Sequence, residues 1–279
     1  MTRPSFFKAS LGLSLLALAI GCQPVVANLP SSSTQILSAV PVQVYAAASL
    51  TDAFKAIGKD FEAKNHNSLV AFKFAGSQDL VAEINKGSAA DVFASADQAH
   101  MNMAVESRRA IESDVQTFVR NRLIIVQPLD AKKKLKSPTE LAQPGLKLVA
   151  ANSDVPVGRY TIEFLNKASQ DPAYGASFKT KVVENIVSYE TNVRLVLDKV
   201  AKGTADAGFV YVSDALVAQK DVTTVKIPNN LNPVATYPIV TLATADRKPA
   251  AKAFVDYVLA DPAQQKLKEF GFIPAAGDD

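Results

Sequence analysis

Apolar positions along this chain follow two periods that take turns. Val42 to Tyr45 is a short β-branched run, read as a buried strand. Directly after it, Leu50, Phe54, Ile57 and Phe61 recur at helical spacing, which places them on one face of a helix over Thr51–Lys64. The same alternation continues for most of the sequence. Strands are expected at 69–74, 91–94, 117–126, 146–150, 182–187, 207–211, 223–227 and 234–243, and helices at 78–85, 158–167, 193–202 and 249–259. Such alternation argues an α/β fold with largely parallel, buried sheets. Two extended apolar runs stand out, 120–127 and 236–243, the second interrupted by Pro238. Long strands that leave one lobe and enter another suit a hinged pair of lobes, 42–120 plus 238–279 and 121–237.

The turn Ala47-Ala48-Ser49-Leu50-Thr51-Asp52 joins the first strand to the first helix, and Ser49 stands where an N-cap belongs. Phe74-Ala75-Gly76-Ser77-Gln78-Asp79-Leu80 repeats the arrangement with Ser77. Helix starts offer unpaired N–H groups and a positive dipole end. Two serine-capped helix starts in one lobe therefore suggest a small oxyanion held between them. Asp52, three residues past Ser49, and Asp79, two past Ser77, would repel a bound dianion, so both are expected to face away, onto their own caps or into solvent.

Composition narrows the function. The 279 residues carry a formal net charge of +3, and without the first 21 residues 28 bases face 27 acids, a balance that argues against a nucleic-acid binder. Two histidines exclude a His-rich metal site. His66 and His100 lie in polar, exposed-looking stretches and receive no role. Lys132, Lys133, Lys134 and Lys136 read as a solvated loop. No G-x-S-x-G elbow is present, and neither histidine lies near a serine-rich turn, which argues against an exported hydrolase.

The N-terminus reads as a targeting segment. Arg3 and Lys8 precede an apolar stretch, Leu11 to Ile20, too short to span a bilayer as a mature helix. Cys22, the single cysteine, follows Leu18-Ala19-Ile20-Gly21, which looks like a bacterial lipobox except for Ala19 in place of the usual Leu. On that reading residues 1–21 are a signal peptide, Cys22 is lipidated, and the Ser- and Pro-rich stretch 22–41 is a tether. The competing reading is ordinary cleavage after Val25-Val26-Ala27. Both export the protein.

Several short stretches in order complete the picture: Val44-Tyr45-Ala46-Ala47-Ala48-Ser49-Leu50-Thr51, Phe74-Ala75-Gly76-Ser77, Ala90-Asp91-Val92-Phe93-Ala94-Ser95-Ala96-Asp97, Val155-Pro156-Val157-Gly158-Arg159-Tyr160, Asn192-Val193-Arg194, Gly208-Phe209-Val210-Tyr211-Val212-Ser213-Asp214-Ala215 and Gly271-Phe272-Ile273-Pro274. In these motifs the chain resembles the periplasmic molybdate-binding proteins of ABC importers, over about Val42 to Pro274. The resemblance implies a two-lobed periplasmic-binding-protein fold, each lobe a mostly parallel sheet flanked by helices, with a hinge of crossing strands. It implies a monomeric, non-enzymatic carrier of molybdate or tungstate at the periplasm or cell surface. The partner would be an ABC permease, with no nucleic acid and no cofactor beyond the oxyanion itself. Carried over, the ligands to the molybdenum oxyanion are the hydroxyls of Ser49, Ser77 and Tyr211 and the amides of Val157 and Val193, Val157 standing where the family often has Ala. Pro156 suits the first turn of a helix and frees the amides after it; Asn192 or Thr191 caps the helix from Val193. Arg159 and Arg194 follow the proposed amide donors closely, as an interlobe salt bridge, a latch across a closed cleft, or direct help with the anion. A binding protein for sulfate, phosphate or a small organic acid is the alternative. Effector domains of transcription regulators share such folds, but the export signal and the lack of a basic helix-turn-helix argue against one.

Overall fold

The computed structural model describes residues 40–65 and 68–275. The signal segment, Cys22, most of the tether reading and His66 lie outside the described residues. The described residues belong to one compact unit.

The strands are β1 (Val42–Ala47), β2 (Val70–Ala75), β3 (Val92–Ala94), β4 (Gln116–Pro128), β5 (Leu148–Ala151), β6 (Ile186–Glu190), β7 (Ala207–Tyr211), β8 (Val222–Val225), β9 (Val234–Thr241) and β10 (Ile273–Pro274). The helices are α1 (Thr51–Lys64), α2 (Ser77–Asn85), α3 (Gln98–Glu106), α4 (Pro156–Gln170), α5 (Phe178–Glu184), α6 (Val193–Ala201), α7 (Val212–Val217), α8 (Lys248–Leu259) and α9 (Asp261–Glu269). Strands run in the order β2-β1-β3-β9-β4-β7-β5-β6. In the first sheet β1 pairs in parallel with β2 and β3; in the second β5 pairs in parallel with β6 and β7. Antiparallel pairings gather on the long strands β4 and β9. β4 belongs to both sheets. It pairs with β9 up to Arg122 and with β7 from Leu123 onward.

The apolar face of α1 is buried as its spacing requires: Leu50 just before it, then Phe54, Ile57 and Phe61. Phe54 packs against Phe72, Phe118 and Phe254, so α1, α8 and the first sheet share one aromatic core. The other face of that sheet is covered by α2 and α3 through Leu80, Val81, Ile84 and Met101. The lysine loop is exposed at all four lysines.

The stretch expected as a strand over 182–187 begins instead as the end of α5, and β6 starts at Ile186. Val182 is the reason: it repeats at i+4 from Phe178, both buried, so a helical face was read as a β-branched run. Helices α3, α7 and α9 were not anticipated. α3 has a weak apolar stripe, and α7 has only 6 residues.

The candidate binding site

Every parallel strand of both sheets ends toward one point, the usual ligand position in α/β sheets. Ala47 ends β1, Ala75 ends β2, Ala151 ends β5, Glu190 ends β6 and Tyr211 ends β7. The turns beyond β1, β2, β5 and β6 open into helices whose first residues surround a cavity lined by Ala48, Ser49, Gly76, Ser77, Pro156, Val157, Asn192, Val193 and Tyr211, among others. All five ligands expected from the sequence line it. About 10 Å³ is open to the centre of a water-sized sphere, room for one water-sized or slightly larger group. No charged side chain lines it.

Helix starts from four segments therefore meet here, the short 3-10 turn Ala48–Leu50 leading into α1 and the starts of α2, α4 and α6. Neither serine is an N-cap, contrary to expectation. Ser49 lies inside the 3-10 turn and Ser77 is the first residue of α2, and neither helix has a side-chain cap. Their hydroxyls turn elsewhere: Ser49 Oγ lies 2.9 Å from the Tyr237 hydroxyl, and Ser77 Oγ accepts the Ala96 N–H at 3.0 Å. First-turn amides without a capping side chain have no intrahelical partner and are available to an anion. At α4 Pro156 is the first residue, which leaves Val157 as the first free N–H. Gly158 matters for closeness: a Cβ there would stand 2.0 Å from the Asn152 carbonyl oxygen, so only glycine lets α4 start against that loop. At α6 Asn192 is the cap. It accepts the Arg194 and Leu195 N–H groups and leaves that of Val193.

Tyr211 is 1 % exposed and its hydroxyl has no hydrogen-bond partner among the described residues. An unpaired buried hydroxyl is costly, and this one borders the cavity. Burial pushes its pKa well above the ordinary tyrosine value, with Tyr237, Tyr160 and nearby carboxylates adding to the effect. It therefore stays protonated and able to donate.

The carboxylates stand outside the cavity. Asp52 is partly exposed and pairs with Arg194 Nη1 at 2.7 Å instead of its own cap; Asp79 accepts from Gln78 at 3.1 Å. Arg194 also reaches Asp214 through Nε at 2.7 Å, and its Nη2 meets the Ser49 carbonyl at 3.5 Å. It thus joins α1 at the first sheet to α7 at the second. Arg159 makes a looser crossing, Nε to Asp97 Oδ2 at 3.6 Å. Gln78 Nε2 donates to the Thr191 carbonyl at 2.7 Å, a third tie between the same two sides. Neither arginine lines the cavity. His100, expected to be exposed, is 3 % exposed, its Nδ1 2.7 Å from Asp97 Oδ1. Asp97 caps α3, and that cap pulls the ring inward.

Asp214 is wholly buried, and burial, outweighing Arg194 and the Tyr211 N–H, pushes its pKa up to about 6. A carboxyl raised in the folded state contributes stability that is full below its unfolded value and is lost as pH rises through the folded one. Asp214→Asn is accordingly expected to gain on wild type by on the order of 2 kcal/mol between pH 4 and 7. Urea unfolding across that range measures the gap, and a constant gap would contradict it.

Sequence reasoning missed Tyr237, Asp97 and Asp214. Tyr237 lies in a strand that was recognised, but its partner Ser49 is 188 positions away. A larger groove of about 550 Å³, lined by Ile111, Asp114, Lys248 and Lys252 among others, is remote from the helix starts and has none of their converging amides.

A fold that gathers strand ends and helix starts from two sheets around one small cavity defines a binder of solutes. The bacterial extracellular solute-binding protein family model matches residues 42–273, and the chain belongs to that family. Within it the chain is a member of the ModA group. It is 37 % identical over 267 residues to the molybdate-binding protein ModA of Mycobacterium tuberculosis, covering 94 % of this chain and 97 % of that one. It is 29 % identical over 268 residues to the putative ABC transporter substrate-binding lipoprotein YvgL of Bacillus subtilis, covering 96 % and 97 %. Among solved structures, the sulfate-binding protein SubI of M. tuberculosis superposes with a TM-score of 0.76 at 17 % identity over 85 % of this chain and 88 % of that one, a likeness of fold.

Proposed function

We propose that this protein captures molybdate, and tungstate alike, outside the cytoplasm and delivers it as a monomer to the permease of an ABC importer. The observation that carries the reading is the small cavity where four helix starts and the side chains of Ser49, Ser77 and Tyr211 converge with no charged side chain in the lining. Neutral donors suffice for a dianion, since each hydrogen bond to a charged group contributes about 1.5–3 kcal/mol and a dry site strengthens it. The cavity is small, which favours a compact anion over an organic chain. Discrimination against sulfate comes from size: donors set for a larger anion hold a smaller one through overlong bonds, which weaken steeply.

The lobes in this reading are 42–120 plus 238–279 and 121–237, hinged where β4 passes from one sheet to the other at Arg122 and Leu123. Arg194, Arg159 and Gln78 tie the closed cleft, the arginines acting as latches without touching the anion. The anchor in this reading is lipid on Cys22, supported by the preceding residues and by the lipoprotein relative.

Calorimetric titration of residues 39–279 with molybdate, tungstate and sulfate tests the assignment. The expected result is one-to-one binding, tight for the first two and at least about 100-fold weaker for sulfate, some 2.7 kcal/mol. Sulfate binding as tightly as molybdate would move the assignment to sulfate, and no heat with any of the three would remove the oxyanion reading.

A further inference from the structure

The lysine loop takes no part in the cavity, yet the fold holds it firmly. β4 ends at Pro128, and the chain then passes through Lys132, Lys133, Lys134 and Lys136 to the 3-10 turn Pro138–Ala142. The middle of the loop is pinned to the sheet. Gln127, buried in β4, accepts the Leu135 N–H on Oε1 at 2.9 Å and donates from Nε2 to the Leu135 carbonyl at 3.2 Å. The Leu135 side chain is itself buried in the core. The far end is closed by the capping box of Ser137 and Glu140, where Glu140 Oε1 accepts the N–H groups of Lys136 and Ser137 at 2.9 and 3.1 Å. A buried amide and a buried leucine thus fix the backbone while the lysines on either side of Leu135 stay outside.

All four lysines are exposed. Among the described residues the lysine ion pairs lie elsewhere, at Lys73, Lys167, Lys199, Lys202, Lys252 and Lys266. Lys133 meets only the neutral amide of Gln143. Glu140 is taken up by backbone donors, so Asp130 and Asp221 are the acids left beside the loop, and the exposed Lys220 stands next to the second of them. Leu129, at the start of the loop, is 48 % exposed. Four like charges within five residues repel one another, and no carboxylate pairs with them.

The loop also has a defined place. β4 runs antiparallel to β7, with Leu123 opposite Tyr211 and Val126 opposite Gly208. Tyr211 borders the cavity, so the chain past Pro128 lies at the pole of the second sheet away from it. β1 enters the first sheet at Val42 and reaches the cavity at its other end, Ala47, so the preceding chain joins the first sheet at that sheet's own far pole.

We propose that the lysine loop is a membrane-contact surface that takes anionic lipid headgroups, so that a protein anchored through Cys22 beyond one pole is held to the bilayer at the other as well. This rests on the reading of an exported, lipid-anchored carrier and is independent of which anion is carried. Fully extended, residues 22–41 reach about 70 Å, which leaves a body anchored by lipid alone free to swing. A basic patch is the usual second signal that limits such freedom. Lysine suits a fluid layer of headgroups, being a flexible point charge, whereas a shaped protein partner is better met by the planar fork of arginine. The exposed leucine adds an apolar side chain at the same surface.

The test uses the chain from Gln23 onward, which carries every described residue and no lipid, and measures its sedimentation with vesicles. Wild type is expected to sediment with phosphatidylcholine vesicles containing about one-third phosphatidylglycerol at low salt, and about tenfold less with phosphatidylcholine alone. Raising the salt to about 0.5 M is expected to release it. Replacing Lys132, Lys133, Lys134 and Lys136 together by Gln lowers binding to the anionic vesicles by about tenfold or more. The same replacement at Lys55, Lys59, Lys86 and Lys268, four exposed lysines outside the loop, changes the net charge equally and leaves most of the binding in place. An equal loss in both variants would reduce the effect to overall charge and overturn the inference. No sedimentation with anionic vesicles at low salt would overturn it too, and would point to an acidic protein face as the occupant. Molybdate affinity is expected to be the same in the loop variant as in wild type. Wild type that binds vesicles through the loop but binds no molybdate removes the oxyanion reading and leaves this one standing, whereas the reverse result removes only the membrane contact.

Discussion

Arg194→Met lowers the unfolding free energy by about 3–5 kcal/mol at pH 8, the range for removing one partner of a buried ion pair. Asp214 has no exposure and its countercharge is Arg194 Nε at 2.7 Å. Without the guanidinium a buried carboxylate stands alone, and it responds by holding its proton to a higher pH than the value of about 6 it has in wild type. The loss is therefore expected to shrink at pH 5, where Asp214 is already mostly protonated and the pair contributes little in wild type. Asp52, the other partner of Arg194, is about one-third exposed and adds a smaller, screened share. Urea unfolding at pH 5 and pH 8 separates these contributions. A loss equal at both values would assign the effect to packing of the arginine stem instead. The double variant Arg194→Met/Asp214→Asn is expected to recover most of the stability, because it removes the orphaned charge. It should not recover molybdate affinity, since the tie from α6 to α1 remains cut.

Tyr211→Phe is expected to move stability and binding in opposite directions. The unliganded protein gains up to about 1 kcal/mol, because a buried hydroxyl with no partner is replaced by a ring that needs none. Molybdate binding weakens by about 10- to 100-fold, the worth of one hydrogen bond to a charged group. The ring itself is held by Tyr160 and Tyr237 at centroid separations of 6.4 and 5.8 Å, contacts that phenylalanine retains. Thermal melts with and without molybdate read both effects in one experiment: a raised melting temperature alone, and a smaller rise on adding the anion. Unchanged affinity would remove Tyr211 from the donor set.

The two results share a cause. The site concentrates groups that the fold alone would not favour: an unpaired hydroxyl, uncapped helix starts, and a buried carboxylate beside the cavity wall. Each costs stability in the empty protein. A charged ligand makes the first two favourable, and Arg194 offsets the third.

Much of this was legible in the residues. Periods of two and 3.6 located β1, β7, α1 and α6 almost to the residue, because each buries a single face or a whole short strand against one core. The strand–serine–helix turns marked Ser49 and Ser77, and the ordered motifs added Val157, Val193 and Tyr211. Pro156 and Asn192 carried their helix-start roles openly, since capping is a local property.

Tertiary structure decided the rest. Ser49 and Ser77 were taken for caps because cap preference is statistical; which oxygen a hydroxyl actually faces depends on Tyr237 and Ala96, brought there by strands far away in sequence. The pairing of Asp52 with Arg194 and the burial of Asp214 beside it depend likewise on contacts between segments of both sheets. Local sequence determined where helices begin and which side chains stand in their first turns. Which partner each of these hydroxyls meets was decided by long-range contacts, because a hydroxyl can donate or accept and takes whichever neighbour the fold brings to it.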